Sequence, residues 1–257
     1  MWVGFHSGSF DSYNGGLAAQ PGLESLAEDG ATGTISSQFL DFDVTLGGYT
    51  YVGPGPINAL TRTGDLTDAN RVDGTIGSST GPPPLSPGES ASQTFSIQTD
   101  GSNHYFSYAS MVLPSNDFFV ANGNPMMHDL SSLYGGTGSV SFNIGTVGSV
   151  NDAGTEAEDS ATSAANGLFG LAGGQGGPDT PAGSLGQPIA NVNGALPLDA
   201  LGFAEGSQTQ FDFNNAGLYP NGIATITIRA VPEPSTAMMA LLGMVLAAWS
   251  VRRPGKT

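Results

Sequence analysis

Apolar and polar positions alternate over short stretches along this chain, and the alternation predicts strands. Phe5–Tyr13 reads as strand-like and leads into the turn sequence Asn14-Gly15-Gly16. Between Thr32 and Leu46 the alternating candidates are Ile35, Phe39, Phe42 and Val44, and Tyr49–Val52 is a short β-like run. Ala91–Thr99 sets Phe95 and Ile97 on one face, whereas Tyr105–Leu113 is denser and predicts a buried strand. Val140–Val150 alternates through Val140, Phe142 and Ile144, and Ile223–Arg229 alternates apolar residues with threonine. One helical pattern interrupts the strands, over Leu17–Ala27. Pro21 stands near its start, Leu23, Leu26 and Ala27 share a face, Glu24, Glu28 and Asp29 lie toward the other, and Gly30 follows its end. Gly81–Gly88 reads as a turn or linker, and the Gly/Ala/Ser/Thr-rich Gly154–Gly186 as a long loop. Several short strands, one helix and large loops predict an all-β fold, a single antiparallel β-sandwich over residues 1–230.

The pattern changes at residue 231. Pro232-Glu233-Pro234 precedes Ser235–Val251, 17 residues without a charge, and Arg252-Arg253 follows at once. At 1.5 Å rise per residue those 17 span about 25 Å, the short end of a transmembrane helix. The arginines suit a stop-transfer signal. A Pro-Glu-Pro motif, one apolar helix and an arginine cluster at the extreme C-terminus resemble the PEP-CTERM sorting signal of Gram-negative bacteria. The resemblance implies processing by an exosortase-type enzyme, export, and delivery to the cell surface or an exopolysaccharide matrix. It assigns 231–257 to the signal and about 235–251 to its membrane helix. At the other end, Met1–Ser7 has neither the basic nor the apolar region of a secretory signal peptide.

Charge narrows the partners. The chain holds 6 Lys plus Arg against 22 Asp plus Glu, a net −16. Upstream of Pro232 only Arg62, Arg71 and Arg229 oppose 21 of those acids, a net −18. Such a surface repels phosphate backbones, which excludes nucleic acid, and it has no basic patch for anionic lipid headgroups. Cysteine is absent, which excludes disulfides, thiol nucleophiles and thiolate metal sites.

Catalytic motifs do not emerge. His6, His104 and His128 are scattered without zinc spacing, no nucleophile elbow occurs, and the glycine-rich Leu168–Gly177 lacks the lysine of a phosphate loop. Glu24, Glu28 and Asp29 read as a solvated helix face. Two acidic segments follow predicted strands instead. Ser110–Val120 ends in a polar turn with Asp117, and Asn151–Glu156 offers Asp152 and Glu156 across a glycine. Calcium takes six to eight hard oxygens, commonly from loop carboxylates and carbonyls. Spacing alone leaves these as either acidic surface loops or cation ligands.

Four segments, His6–Asp11, Ala18–Gly30, Ser110–Val120 and Asp152–Glu156, together resemble the spondin N-terminal domain, in order over about residues 3–230. That resemblance implies an eight-stranded antiparallel β-sandwich, related to calcium-dependent phospholipid-binding modules, with matrix and adhesion roles in animal members. It implies one Ca²⁺ held by Asp117, Asp152 and Glu156, the last being Glu where the family has Asp. A further family ligand, a Glu, aligns near Gln98. The family also begins with a strand before the segment matching His6–Asp11, so a missing first strand is expected here, explained with the missing signal peptide by a start site placed too far downstream. The functional expectation is an exported, surface-anchored or exopolysaccharide-associated, non-catalytic adhesion module that contacts polysaccharide or a surface protein. The alternatives are a secreted hydrolase and a calcium-dependent phospholipid binder.

Overall fold

The computed structural model describes residues 1–8, 10–40, 70–77, 85, 88–113, 115, 117–155, 187–192 and 216–231, and the backbone of 45–46 and 49–50. The strands are β1 (Trp2–His6), β2 (Thr45–Leu46), β3 (Tyr49–Thr50), β4 (Val72–Thr75), β5 (Tyr105–Met111), β6 (Phe118–Ala121), β7 (His128–Asp129), β8 (Ser139–Ile144), β9 (Asn151–Asp152), β10 (Ala190–Asn191) and β11 (Ala224–Arg229). Seven form one sheet in the order β10-β9-β6-β5-β1-β4, with β7 also on β5. A second sheet is the two-stranded ribbon β8–β11, and β2 pairs with β3. Every pairing is antiparallel.

Both faces of the large sheet are covered. Val3, Phe5, Phe106, Tyr108, Phe118 and Val120 point to one side, where Val140, Phe142, Ile144, Ile226 and Ile228 of the ribbon pack on them. Trp2, Ala109, Phe119 and Ala121 point to the other, against Leu23, Leu26, Ala27, Ile35 and Phe39 of two helices. A strand buried on both faces shows no polar alternation, and all five residues of β1 are buried.

The helices depart from expectation. The first, α1 (Pro21–Asp29), starts four residues later than predicted, with Pro21 in its first turn and Gln20 extended. Gly30, at φ 67°, caps it by donating to the Leu26 carbonyl at 3.0 Å. The second, α2 (Gly33–Leu40), corrects the expectation of a single helix and of strand alternation in that segment. Its buried Ile35 and Phe39 are four apart, a helical spacing that a period-two reading also fits at its first and last members.

Three further expectations change. A strand does precede the His6–Asp11 segment: it is β1, and it pairs with β4 and β5 on its two edges. Ala91–Thr99 is not a strand, although Phe95 and Ile97 pack against the core. Phe5–Tyr13 is strand only to His6, after which the chain crosses toward β6 and Ser12 Oγ donates to the Asn122 carbonyl at 3.0 Å. Among the described residues no helix is long and apolar enough to cross a membrane. The predicted span 235–251, like 156–186 of the predicted loop, lies outside them.

Candidate metal centre

The carboxylates Asp117 and Asp152, 35 positions apart in the sequence, meet where β6 and β9 pair. Phe118 is opposite Asp152 in that ladder, and the Ala153 N–H donates to the Asp117 carbonyl at 3.2 Å. A tight turn after β5 presents Asp117. Within it the Val112 N–H donates to the Phe118 carbonyl at 2.8 Å, and Ser115 Oγ accepts the Phe118 N–H at 2.9 Å. Sequence reading did not choose Ser115 as a site residue, although serine hydroxyls commonly bond nearby backbone in turns.

Asp117 is fully buried, and its Oδ2 accepts the Thr155 N–H at 2.9 Å and Thr155 Oγ1 at 3.4 Å. Asp152 Oδ1 accepts the Gly154 N–H at 2.6 Å. The Asp152–Thr155 loop thus folds its own amides around both carboxyls. It is fastened to the segment that leads into edge strand β10 through the Gln187 N–H, which donates to the Gly154 carbonyl at 3.1 Å. Thr155 is a second supporting residue that spacing alone does not single out.

The Asp152 carboxyl is pushed up to about 6, chiefly by desolvation and then by the Asp117 carboxylate beside it, while the Gly154 amide pulls partly the other way. A side-chain hydrogen bond between the two carboxyls also favours the protonated form, because one of them must carry the proton. Two adjoining carboxyls, one fully buried and one half-buried, thus have two ways of relieving their repulsion. They share a proton, or a cation takes its place. Hard carboxylate oxygens on a bent loop suit Ca²⁺ by donor chemistry. Among the described residues no three acidic or histidine side chains gather to hold a metal ion. The third expected ligand, Glu156, lies outside those residues. Gln98, exposed, is tied through its N–H to Asn103 Oδ1 at 2.7 Å.

The other candidates stand apart from this pair. His6 is fully buried, with Nε2 2.8 Å from Ser107 Oγ and Nδ1 accepting the Gly8 N–H at 2.9 Å. His104 stacks on Tyr134 (5.1 Å between centroids), and His128 stacks on Phe142 (3.7 Å). Glu24 and Glu28 are half-buried on α1, and Asp29 is exposed. Asp11, which sequence reading did not single out, is buried. Desolvation holds its carboxyl up at about 6 against hydrogen bonds from Tyr13 and Asn14 that lower it.

These shifts carry a pH prediction. A carboxyl whose folded pKa lies above its unfolded value stabilises the fold fully below that unfolded value, near 3.8, and loses the contribution as pH rises through about 6. His128, lowered to about 4 by burial, opposes this between its unfolded value near 6.5 and 4. Asp11→Asn should therefore reduce the rise in melting temperature between pH 7.5 and pH 5 in chelator, and His128→Phe should enlarge it. Identical pH profiles for Asp11→Asn and the wild type would contradict the assignment for Asp11.

With that geometry in place, comparison with known proteins adds one match. A model of the PEP-CTERM protein-sorting motif matches residues 230–253. No curated protein matches the chain. The motif marks the chain for export and surface sorting, and such motifs are generally processed by exosortase. The match begins one residue after β11 ends.

Proposed function

We propose that this protein is a non-catalytic matrix or adhesion module of the spondin N-terminal type, exported and sorted to the cell surface or exopolysaccharide by its C-terminal signal. The observation that carries the reading is the sorting motif at 230–253, set directly behind the last strand of the folded domain. Residues 235–251 act as its membrane helix until an exosortase-type enzyme processes it. Deleting residues 232–257 should leave the protein unsorted or released. Unchanged envelope fractionation of the deletion would overturn the sorting role.

The site adds calcium. Asp117 and Asp152 ligate one Ca²⁺ with Glu156 as third carboxylate, and the ion replaces the proton the pair otherwise shares. The full burial of Asp117 favours an ion-holding pair over an acid–base pair, because a substrate needs access to the reacting oxygens. A dissociation constant in the extracellular range of about 10⁻⁴–10⁻³ M gives millimolar Ca²⁺ about 0.4–1.4 kcal/mol of stabilisation. Melting should therefore rise by a few degrees in 1 mM Ca²⁺ and fall back with chelator. Asp152→Asn should erase the increment while the domain still folds. Identical melting of the wild type in Ca²⁺ and in chelator would return the pair to a purely structural role.

A further inference from the structure

The sorting motif and the fold overlap. Residue 230 is the first residue of the motif match, yet its N–H donates to the Gly138 carbonyl at 3.1 Å. Immediately before it, β11 is paired with β8 from Ala224↔Ile144 to Arg229↔Ser139. Side chains reinforce the ladder on its outer face, where Ser141 Oγ and Thr227 Oγ1 lie 2.8 Å apart and Thr225 Oγ1 donates to Asn143 Oδ1 at 2.9 Å. On the inner face Ile226 is buried, and Ile228 and Ala230 pack against the core. Only at Val231, 72% exposed, does the chain leave the domain. Pro232-Glu233-Pro234 follows directly.

Only Val231 separates the last hydrogen-bonded position, Ala230, from Pro232, and three residues separate it from Pro234. Fully extended, each residue adds only about 3.5 Å. An enzyme that processes a peptide commonly takes it in extended form, with main-chain hydrogen bonds on both flanks. The amino-terminal flank of Pro232 is Arg229, Ala230 and Val231, the end of β11. That flank cannot pair with β8 and lie in an enzyme cleft at once.

We infer that the β8–β11 ribbon shields the amino-terminal flank of the chain's own sorting motif, so that the processing enzyme acts on a peeled β11 end and completed folding slows processing. The inference rests on the reading of 230–253 as a processed signal. Fraying of a terminal strand is a low-energy local event, so the ribbon slows processing without abolishing it.

The test follows processing of the full chain in its own host, with and without the exosortase-type enzyme, by pulse labelling. An eight-residue Gly/Ser spacer between Ala230 and Val231 supplies a free flank and should raise the processing rate severalfold. The opposing variant fastens the strand. The chain has no cysteine, and Ser139 and Arg229 stand directly opposite each other, so Ser139→Cys with Arg229→Cys places one disulfide at the ribbon's end. The oxidised form should be processed severalfold more slowly than the reduced form. Equal rates for the spacer chain and the wild type would overturn the inference while leaving the sorting reading intact. Processing that continues without the enzyme, or fails in every chain, would overturn the sorting reading and this inference together.

Discussion

Trp2→Ala should lower stability by about 3–5 kcal/mol, the range for removing a large aromatic side chain from a core, and the melting temperature by roughly 6–20 °C. Trp2 is fully buried, with its ring centroid 5.3 Å from that of Phe10 and 5.1 Å from that of Phe39. It therefore ties three elements together: β1, the crossing segment after it, and α2. Its indole N–H donates to Asp73 Oδ2 at 2.8 Å, which reaches β4 as well. Trp2→Phe keeps most of the apolar contact and loses that hydrogen bond, so it should cost about 1–2 kcal/mol. Thermal or denaturant unfolding measures both. A Trp2→Ala loss no larger than the Trp2→Phe loss would mean that the helical face contributes little to the fold.

Gly154→Ala should be the most damaging single-methyl change in the candidate site. Gly154 holds φ at 68°, where an L residue costs roughly 1–2 kcal/mol. Its added Cβ would also lie 2.7 Å from the Gln187 carbonyl oxygen, which is backbone and cannot swing aside. The two effects together should approach about 2–4 kcal/mol. The calcium-dependent increment should vanish too, because the same loop presents Asp152 and Thr155. Gly148→Ala separates the two effects, since Gly148 has φ 77° but nothing within 4 Å of an added Cβ. It should cost about 1–2 kcal/mol from conformation alone. Equal losses for the two variants would show that the Gln187 contact relaxes without cost.

How much of this was legible beforehand depends on how many faces each element buries. The ribbon strands β8 and β11 were legible because each buries one face, and alternation survives in Val140-Ser141-Phe142 and Ile226-Thr227-Ile228. The strand β5 was legible as a dense run for the opposite reason, being covered on both sides. The helix α2 was misread because Ile35 and Phe39 satisfy a period of two and a period near four alike. Ala91–Thr99 was misread because packing of Phe95 and Ile97 does not require a hydrogen-bonded partner strand. For the site, resemblance named Asp117 and Asp152, and the β6–β9 ladder brings them together. Local spacing could not pair them, since the pairing depends on strand register 35 residues apart. Nor could it show Thr155 as a hydrogen-bond donor to Asp117, or Ser115 as the residue that locks the turn before it.

The place of β1 inside the sheet, between β4 and β5, has a kinetic consequence. The first strand in the chain has no partner until residues 72–75 and 105–111 have been made, and its partner β5 waits in turn for β6 and β7. The far sheet is completed later still, because β8 pairs with β11 across 80 to 90 residues and β11 ends only at Arg229. Contacts so distant in sequence raise the relative contact order, and folding slows accordingly, toward milliseconds to seconds rather than microseconds. A chain emerging at about 5–20 residues per second therefore spends several seconds with Trp2 and Phe5 uncovered. That interval is a window in which the polypeptide is still threadable, because β1 has yet to gain the β4 and β5 neighbours that flank it in the native sheet.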